Sequence, residues 1–459
     1  MNVSDVGFEM GVAKGILSNG LANMVQKIIR ILDQLLLVPF FLTAWGAAYY
    51  GEWLTLSIVP SILAFSDLGF GSAVSNGFVL AYASGNKQRA ANLYRSGFWI
   101  TTGSVLLGIL LTAIVIILGD YAGWFRKSSI EANDAILAVT LMMASKLVVF
   151  YTQIAEGFFR SARRAATGSF LGSGNSLINI IVGLIVLYAG CGVVGFSLAH
   201  FIIAILYTIM YWIIGRRMIS FDGLDGHIER SDIHMIVTKG VGYLATPIWQ
   251  SIYFQGTTFA VRIVLGAEAV AVFNTVRTVC RSVNQVFSII NAAIFPDLQF
   301  EYGRGNLPLV QKLFRIAVGI SIVIGLFGAL VLCFIGMDLY NWWTQNKLSI
   351  GLTEWYVFMI GVFMNAVWWT SVVVYRMTNQ PKHFAIASTL MSCISVAVCY
   401  FMSGVWGVAG AALATTVFET VMALYILPDS CKILGMRVSG LVSHVGEDWE
   451  MMMRRTPLK

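Results

Sequence analysis

Charged side chains lie inside long apolar segments of this 459-residue chain, and they are the residues best placed to do chemistry. A charge in the middle of a lipid bilayer is costly, so each one must face protein or a water-filled space. Such residues mark the pathways of ions and substrates through membrane proteins. Those near mid-depth are Lys27, Arg30, Asp33, Asp67, Lys146, Arg281 and Glu419.

The cations fall on shared helix faces. Lys27 and Arg30 are three residues apart, and Arg277 and Arg281 are four apart, so each pair shares one side of a helix. With two further cations there are six in or near the apolar segments, against three acids. A net positive cavity suits an anionic cargo, and phosphate suits guanidinium groups because they offer paired donors. The candidate cargo-binding residues are Lys27, Arg30, Lys146, Arg262, Arg277 and Arg281.

The three acids are candidates for coupling transport to protons or sodium ions. Glu419 is the strongest of them, because it lies in the middle of an apolar segment. Asp33 can instead form a structural ion pair with Arg30, three residues away. Asp67 precedes the sequence LGFG, so it can instead satisfy the backbone of a broken helix.

Simpler structural roles also remain open for other polar residues in these segments. Lys146 can extend towards the membrane interface or pair with Glu156 or another carboxylate. Arg262 lies near the outer end of its segment, where an interface anchor is favoured over a cargo ligand. His200 fits a packed polar residue better than a proton relay.

The composition predicts an all-α polytopic membrane protein. Hydrophobic residues make up 58% of the chain and charged residues only 12%, whereas about a quarter of a soluble domain is charged. The apolar residues recur in blocks long enough to cross a bilayer. Twelve spans are expected, at 16–44, 53–82, 92–119, 135–159, 166–189, 192–214, 236–264, 268–296, 310–337, 353–378, 383–403 and 406–428.

Basic residues accumulate in alternate loops, which predicts the orientation. The loop 84–95 and its equivalents are basic, whereas the opposite loops hold only Arg126, Lys127 and Lys347. Positive loops face the cytoplasm, so both termini are expected there. The net charge of +7 therefore reflects topology, and no nucleic-acid partner is expected. The cysteines have no paired spacing, and no phosphate loop or metal motif occurs, so we expect no cofactor, metal or enzymatic site.

The two halves of the chain resemble each other. SGNKQRAANLYR (84–95) aligns without a gap with RGNLPLVQKLFR (304–315), and GVVGFSLA (192–199) aligns with GVAGAALA (407–414). A six-plus-six duplication predicts two pseudo-symmetric six-helix bundles around a central cavity, as in alternating-access transporters. We assign 1–220 and 236–428 to the two bundles, 221–235 to a cytoplasmic linker and 429–459 to a cytoplasmic tail.

Two stretches resemble a known family. YGEWLTLSIVPSILAFSDLGFGSAVSN (50–76) and VRTVCRSVNQVFSIINAAIFPDLQFEYGRGN (276–306) are similar to the polysaccharide transporter family. This is the Wzx-type O-antigen flippase branch of the MOP exporter superfamily, which has a MATE-like fold. The resemblance implies a flippase for undecaprenyl-diphosphate-linked oligosaccharides in the bacterial inner membrane, with a basic cavity at Lys27, Arg30, Arg277 and Arg281. It also implies membrane lipids and other polysaccharide assembly proteins as partners.

Two alternatives to a flippase follow from the same features. A MATE-like antiporter for drugs or organic cations would share the architecture, but its cargo favours a cavity dominated by acids. A membrane polysaccharide polymerase or ligase would need long outer loops with catalytic residues, and the longest one expected here is 120–134. Lipid II flippases typically carry fourteen spans, so the twelve expected here disfavour that branch.

Overall fold

The computed structural model describes residues 3–63, 69–125, 129–219, 225–243, 245–378 and 381–443, and every element in these ranges is helical. The chain divides into two compact units, Met1–Ile248 and Trp249–Lys459. The helices form two bundles of six membrane-crossing spans. The prediction of an all-α polytopic membrane protein with about twelve spans is therefore confirmed.

The first unit holds spans one to six. Gly46 breaks the first helix, because its φ of +74° is a left-handed conformation that glycine tolerates, and the chain turns there into the second span. The helices are α1 (Val3–Leu56), α2 (Ile58–Leu63), α3 (Phe70–Ala83), α4 (Lys87–Tyr121), α5 (Ala132–Ser161), α6 (Ala165–Tyr188), α7 (Val193–Arg217) and α8 (Arg230–Tyr243).

The second unit follows from within α9 (Ala245–Ser251). Its seventh span is segmented, because a five-residue π-helical turn at Ile252–Gly256, here called the π turn, interrupts the helix. Gly407, with φ of +58°, breaks the last long helix between spans eleven and twelve. The further helices are α10 (Thr257–Leu265), α11 (Ala267–Gly303), α12 (Leu307–Trp343), α13 (Leu352–Trp369), a 3₁₀ turn (Thr370–Val372), α14 (Val373–Met377), α15 (Pro381–Ile433) and α16 (Gly440–Ser443).

Eight described segments are long and apolar enough to cross a membrane by themselves. Two of these, Ile31–Ile62 and Lys382–Ile433, contain the breaks at Gly46 and Gly407, so each holds parts of two spans. Spans seven and eight are not among the eight segments. The seventh is divided into short pieces, and α11 carries arginines and amides through its middle. The two spans that depart most from simple hydrophobic helices are thus neighbours in sequence.

The turns of the two units repeat at nearly constant offsets. Three glycines with positive φ in the first unit recur 220, 220 and 217 residues later in the second. At the second of these turns, Gly85 N–H donates to Tyr82 O at 3.1 Å, and Gly305 N–H donates to Tyr302 O at 3.0 Å. The pairs are Gly46 and Gly266, Gly85 and Gly305, and Gly190 and Gly407. The six-plus-six repeat therefore extends to backbone conformation.

Helices of both units present apolar side chains outwards, as a lipid environment requires. Leu106, Leu110 and Ile117 lie exposed along one face of α4, and Phe327 and Phe334 lie exposed on α12. Exposed apolar surface of this extent marks a membrane-facing side in a chain with these spans. The opposite face of α4 buries small residues that allow close helix packing.

An aromatic core holds the π turn in place in the second unit. Trp249, Tyr253, Trp368, Phe384 and Phe418 are buried together, and they join α9 and the π turn to α13 and α15. Trp249 and Tyr253 both stack on Phe418, with ring centroids 5.8 and 4.2 Å apart. This packing fixes the segment next to the charged residues described below.

Candidate functional site

Arg277 is a buried cation whose hydrogen bonds all go to uncharged groups. Its side chain is 8% exposed on α11. Nη1 donates to Thr257 Oγ1 at 2.8 Å, and Nη2 donates to Thr258 Oγ1 at 2.8 Å, to Asn274 Oδ1 at 2.6 Å and to the Phe254 carbonyl at 3.2 Å. No carboxylate in the described part of the chain forms an ion pair with it. The protein therefore orients this guanidinium without neutralising its charge.

Arg281 lies one turn further along the same helix and is exposed. Its guanidinium carbon is 4.6 Å from the centroid of the Phe254 ring, and that of Arg277 is 5.1 Å from the same ring. The guanidinium carbon of Arg277 also lies 4.8 Å from the centroid of the Phe273 ring. Aromatic faces attract cations, so Phe254 holds both guanidinium groups next to one another. We call Arg277 and Arg281 the arginine pair.

The π turn brings Phe254 to the arginine pair. In a π turn each carbonyl accepts from five residues ahead, which widens the helix locally, and such turns are frequent at functional sites. The wide turn leaves the Phe254 carbonyl within reach of Arg277 and the Phe254 ring in contact with both guanidinium groups. A backbone distortion therefore takes part directly in the cationic site.

Glu419 lies in a separate, uncharged cluster of the same unit. Its side chain is buried on α15, and its Oε2 accepts from Asn365 Nδ2 at 2.9 Å and from Trp368 Nε1 at 2.8 Å, both on α13. The Tyr253 side chain also lies close enough to this carboxyl group to interact with it electrostatically. Among the described residues no cation pairs with Glu419. A buried carboxyl with neutral donors is suited to bind and release a proton or a small cation.

In the first unit, Asp33 and Lys146 lie close enough to interact electrostatically, and Lys146 also acts on His200. The His200 ring packs on Phe196 with centroids 4.2 Å apart, and its Nδ1 lies 2.9 Å from the Phe196 carbonyl. From the sequence, Glu156 or another carboxylate was a possible partner of Lys146. In the structure the interacting carboxylate is that of Asp33.

The remaining candidates lie in different places. Arg262 is half-buried in the last turn of α10. Lys27 and Arg30 belong to the helical backbone of α1, but their side chains lie outside the described residues, as does all of Asp67. The six cysteines are free thiols in the structure.

Sequence reasoning missed the neutral partners of these charges. Asn365 could have been found, because it is a lone amide in the apolar segment LTEWYVFMIGVFMNAVWW. Thr257 and Thr258 are common residues in a membrane helix and give no such signal. The π turn has no sequence pattern of its own, so Tyr253 and Phe254 looked like ordinary packing residues.

Comparison with known proteins places the fold. No protein-family model matches the chain, and no curated protein matches it. Among solved structures, the lipid II flippase MurJ in an inward closed conformation matches with a TM-score of 0.71 and 14% identity, over 96% of this chain and 94% of that chain. An inward-facing multidrug resistance MATE family transporter of the MOP superfamily matches with a TM-score of 0.69 and 16% identity, over 92% and 96%.

The fold is MATE-like. A third structure, MATE in complex with MaL6, agrees, with a TM-score of 0.61 and 16% identity over 94% of this chain and 97% of that one. The sequence resemblance predicted this fold, and the comparison confirms it for a multi-pass membrane protein. At such low identity the likeness concerns the fold alone.

Proposed function

We propose that this protein is a flippase for an undecaprenyl-diphosphate-linked oligosaccharide, the repeat unit of O-antigen or another surface polysaccharide. It would move this unit from the cytoplasmic to the periplasmic leaflet of the bacterial inner membrane, with both of its termini in the cytoplasm. The observation that carries the proposal is the arginine pair, because its charge is oriented by neutral groups and remains available to an anion.

The chemistry of the arginine pair favours a diphosphate. Two guanidinium groups one helical turn apart repel each other, and no acid of the described chain offsets either charge by an ion pair. An anion with several oxygens would relieve that repulsion and accept the paired N–H donors of Arg281, which is an exposed residue. A single organic cation would add to the repulsion instead.

We extend the cationic path to the other basic residues that the sequence selects. Lys27 and Arg30 on the first span would meet the same diphosphate, with Lys146 and Arg262 as further contacts. Each is proposed from its residue type and its place in a span. Replacement of any of them should weaken transport less than replacement of Arg281, if the arginine pair is the main site.

Alternating access would carry the cargo across. The diphosphate would bind the arginine pair, the sugar would remain in water, and the polyprenyl tail would stay in lipid. Each sugar hydroxyl placed in hydrocarbon without a hydrogen bond would cost about 2 kcal/mol or more. A water-filled path would therefore lower the free-energy barrier to moving the sugar across the membrane. Protons or sodium ions would drive the return, with Glu419 as the first candidate and Asp33 and Asp67 as the others.

A complementation series tests this function. In a strain deleted for this gene, wild-type protein should restore surface polysaccharide, and Arg281→Ala should reduce it about tenfold or more through the loss of charged hydrogen bonds. Arg281→Lys should keep part of the activity, because the charge survives without the paired geometry. Arg304→Ala is the matched control, since Arg304 is 66% exposed and bound to Glu301 at 3.5 Å.

Full surface polysaccharide in a well-expressed Arg281→Ala strain would contradict the proposal. Arg277→Lys is a second test of the arginine pair, because lysine keeps the positive charge but loses several of the four hydrogen bonds of Arg277. It should also reduce polysaccharide, with expression measured in parallel.

A cation antiporter is the second candidate. The observation that favours it is Glu419, a buried carboxyl surrounded by the aromatic rings of Trp368, Tyr253 and Phe418. Such surroundings also suit an organic cation. Efflux of a fluorescent organic cation that depends on Glu419 but not on Arg281 would support the antiporter over the flippase.

A further inference from the structure

A row of polar side chains continues along α11 from the arginine pair. Arg277, Arg281, Asn284, Ser288 and Asn291 follow one another at intervals of four, three, four and three residues. These intervals place all five on one side of the helix. At 1.5 Å per residue, the row extends for about 15 Å beyond Arg281. We call its three uncharged members the amide stripe.

Trp369 of α13 forms hydrogen bonds with two members of the amide stripe. Its Nε1 donates to Ser288 Oγ at 3.1 Å, and its carbonyl accepts from Asn291 Nδ2 at 3.0 Å. In a continuous α-helix this carbonyl would accept from the Val373 N–H, but that N–H donates within the 3₁₀ turn instead. The backbone irregularity after α13 therefore holds Trp369 against α11.

The Trp369 ring provides an apolar surface beside these polar groups. The residue is half-buried. Its ring centroid lies 6.4 Å from that of Trp249 and 5.3 Å from that of Trp368, at interplanar angles of 63° and 74°. Aromatic rings combined with a few placed polar groups are typical of ligand-binding sites. A sugar presents the matching surfaces, since its ring faces carry C–H groups and its edges carry hydroxyls.

Two amide oxygens of the stripe are buried and have no hydrogen-bond partner among the described residues. They are Asn284 Oδ1 and Asn291 Oδ1. The orientation of the Asn291 amide is fixed, because the Trp369 carbonyl can only accept and must therefore face Nδ2. Most buried polar atoms in proteins have a partner, so these two oxygens indicate a functional position. Both are acceptors, so a ligand that binds them must bring donors.

The hydrogen-bonding character thus changes along this side of α11. The arginine pair has only donors, which suit the oxygens of a diphosphate. The amide oxygens need donors, which an ionised diphosphate lacks and sugar hydroxyls supply. Asn284 follows Arg281 by three residues, about 4.5 Å along the helix axis. The group that reaches Asn284 would therefore be the one joined directly to the diphosphate.

We propose that the amide stripe and Trp369 form a carbohydrate-binding subsite. Asn284 and Asn291 accept from hydroxyls of the sugar attached to the diphosphate, and the Trp369 ring packs against that sugar. Ser288 is a positioning residue, because it binds the indole N–H. The state of the transport cycle that admits the cargo would uncover the two buried oxygens. This inference rests on the proposed function, in which the arginine pair binds the diphosphate.

Binding of two lipids to the full-length protein in nanodiscs tests the subsite. One is the lipid-linked oligosaccharide prepared from the strain deleted for this gene, and the other is undecaprenyl diphosphate, which has no sugar. Wild type should bind the sugar-bearing lipid about tenfold more tightly, because only this lipid forms the additional hydrogen bonds. Asn284→Ala should weaken binding of the sugar-bearing lipid about fivefold and leave the Kd for undecaprenyl diphosphate unchanged.

Three further variants separate a sugar contact from a general disturbance of α11. Arg281→Ala should weaken binding of both lipids alike, since it acts on the diphosphate. Trp369→Phe loses the bond to Ser288 and should weaken binding of the sugar-bearing lipid alone. Ser282→Ala is the matched control, because Ser282 lies on another side of α11 and donates to a carbonyl of its own helix at 3.0 Å. It should change neither Kd.

The pair of lipids also distinguishes failure of the subsite from failure of the proposed function. Equal affinity of wild type for the two lipids, or an equal loss for both in Asn284→Ala, would overturn the carbohydrate subsite and leave the diphosphate site standing. If wild type binds neither lipid, the proposed function itself fails. Thermal unfolding of each variant, measured in parallel, identifies losses that come from misfolding, and Trp369→Phe then decides in place of an unfolded Asn284→Ala.

Discussion

The two arginines of α11 differ in how the protein uses their donors. Arg277 is buried and donates hydrogen bonds to four neutral acceptors. Arg281 is exposed, and its guanidinium group contacts the Phe254 ring. The hydrogen bonds fix the orientation of the buried group, whereas the exposed group has no such bonds among the described residues. An anion would therefore contact Arg281 first.

Replacement of Glu419 by glutamine can separate an effect on stability from an effect on proton-driven transport. Glu419→Gln keeps a carbonyl oxygen that can accept from both Asn365 and Trp368, so we expect unfolding free energy to change by about 1 kcal/mol or less. Because an amide takes up no proton at neutral pH, transport driven by a proton gradient should be lost. Thermal unfolding in detergent and proton-driven flipping in proteoliposomes measure the two effects.

Exchange of the lipid-linked oligosaccharide between leaflets without a proton gradient is the internal control for Glu419→Gln, because this exchange needs only the cargo site. If gradient-driven flipping in this variant equals that of wild type, Glu419 does not couple protons, and Asp33 and Asp67 become the acids to examine.

Charged residues in apolar segments could be predicted from the sequence, but their partners could not. The spacing of Arg277 and Arg281 indicated one shared face, which the common contact with Phe254 supports. The difference between a buried and an exposed arginine depends on Thr257, Thr258 and Phe254, which come from another helix. No spacing rule within α11 contains that information.

At the level of elements, the π turn depends on close contact with α15. Gly256→Ala would place a methyl group 2.6 Å from Val396, and we expect a cost of about 1–3 kcal/mol from overpacking. Gly319→Ala is the matched control, because no atom lies within 4 Å of its added Cβ, and alanine favours the helix by up to about 1 kcal/mol. Thermal unfolding midpoints compare the two.

A compensating change sharpens this test. Val396→Ala removes the methyl groups that the new Cβ would meet, so the double variant should recover part of the stability lost in Gly256→Ala. If Gly256→Ala is as stable as Gly319→Ala, the contact between the π turn and α15 is not tight.

A second element, the segment 225–232 before the seventh span, is bound to the start of α4. Asn92 Oδ1 accepts from the His227 amide at 2.9 Å and from Gln88 Nε2 at 3.1 Å, and its Nδ2 donates to Glu229. Asp232 lies beside Arg89 at 4.0 Å, with a side chain that is only 4% exposed. These bonds fix the segment to the first unit.

Asp232 makes this segment sensitive to pH. Burial, and next the nearby Glu229 carboxylate, raise the pKa of Asp232, while Arg89 opposes them. Its Oδ2 has no hydrogen-bond partner among the described residues. Because the folded pKa is raised, this group stabilises the fold fully below its unfolded pKa of about 3.9, and that contribution is lost as pH rises through the folded value.

Asp232→Asn should therefore raise the thermal unfolding midpoint at neutral pH by a few degrees. The midpoint of this variant should also increase less than that of wild type as the pH is lowered. Asp225→Asn is the control, because its side chain is exposed and its contact with Gln88 uses the backbone carbonyl. A lower midpoint in Asp232→Asn would mean that the ion pair with Arg89 outweighs the cost of burial.

Most elements could be predicted from hydropathy, and the segmented seventh span could not. The long helices α4, α5, α6, α7 and α12 follow from apolar length alone. The turn after the second span was visible as the repeated Gly-Asn pair, because Gly85 and Gly305 both need positive φ. The π turn depends instead on contacts of Tyr253 and Gly256 with residues distant in sequence.

At the scale of the whole molecule, the two units repeat the same turn positions but carry different polar residues. The turns recur with offsets of 217 to 220 residues. The second unit carries the arginine pair and Glu419, whereas the first carries Asp33, Lys146 and His200. The turn positions therefore recur in both halves, whereas the charged residues within their helices differ.

Reconstituted transport tests the central claim most directly. Purified protein in proteoliposomes is given a fluorescent polyprenyl-diphosphate oligosaccharide, and a membrane-impermeant glycosidase reports which leaflet holds the sugar. Wild type and Arg304→Ala should transfer the lipid between leaflets, and Arg281→Ala should slow the transfer about tenfold or more. Equal transfer by Arg281→Ala and wild type, in well-folded protein, would contradict the claim that the arginine pair binds a diphosphate cargo.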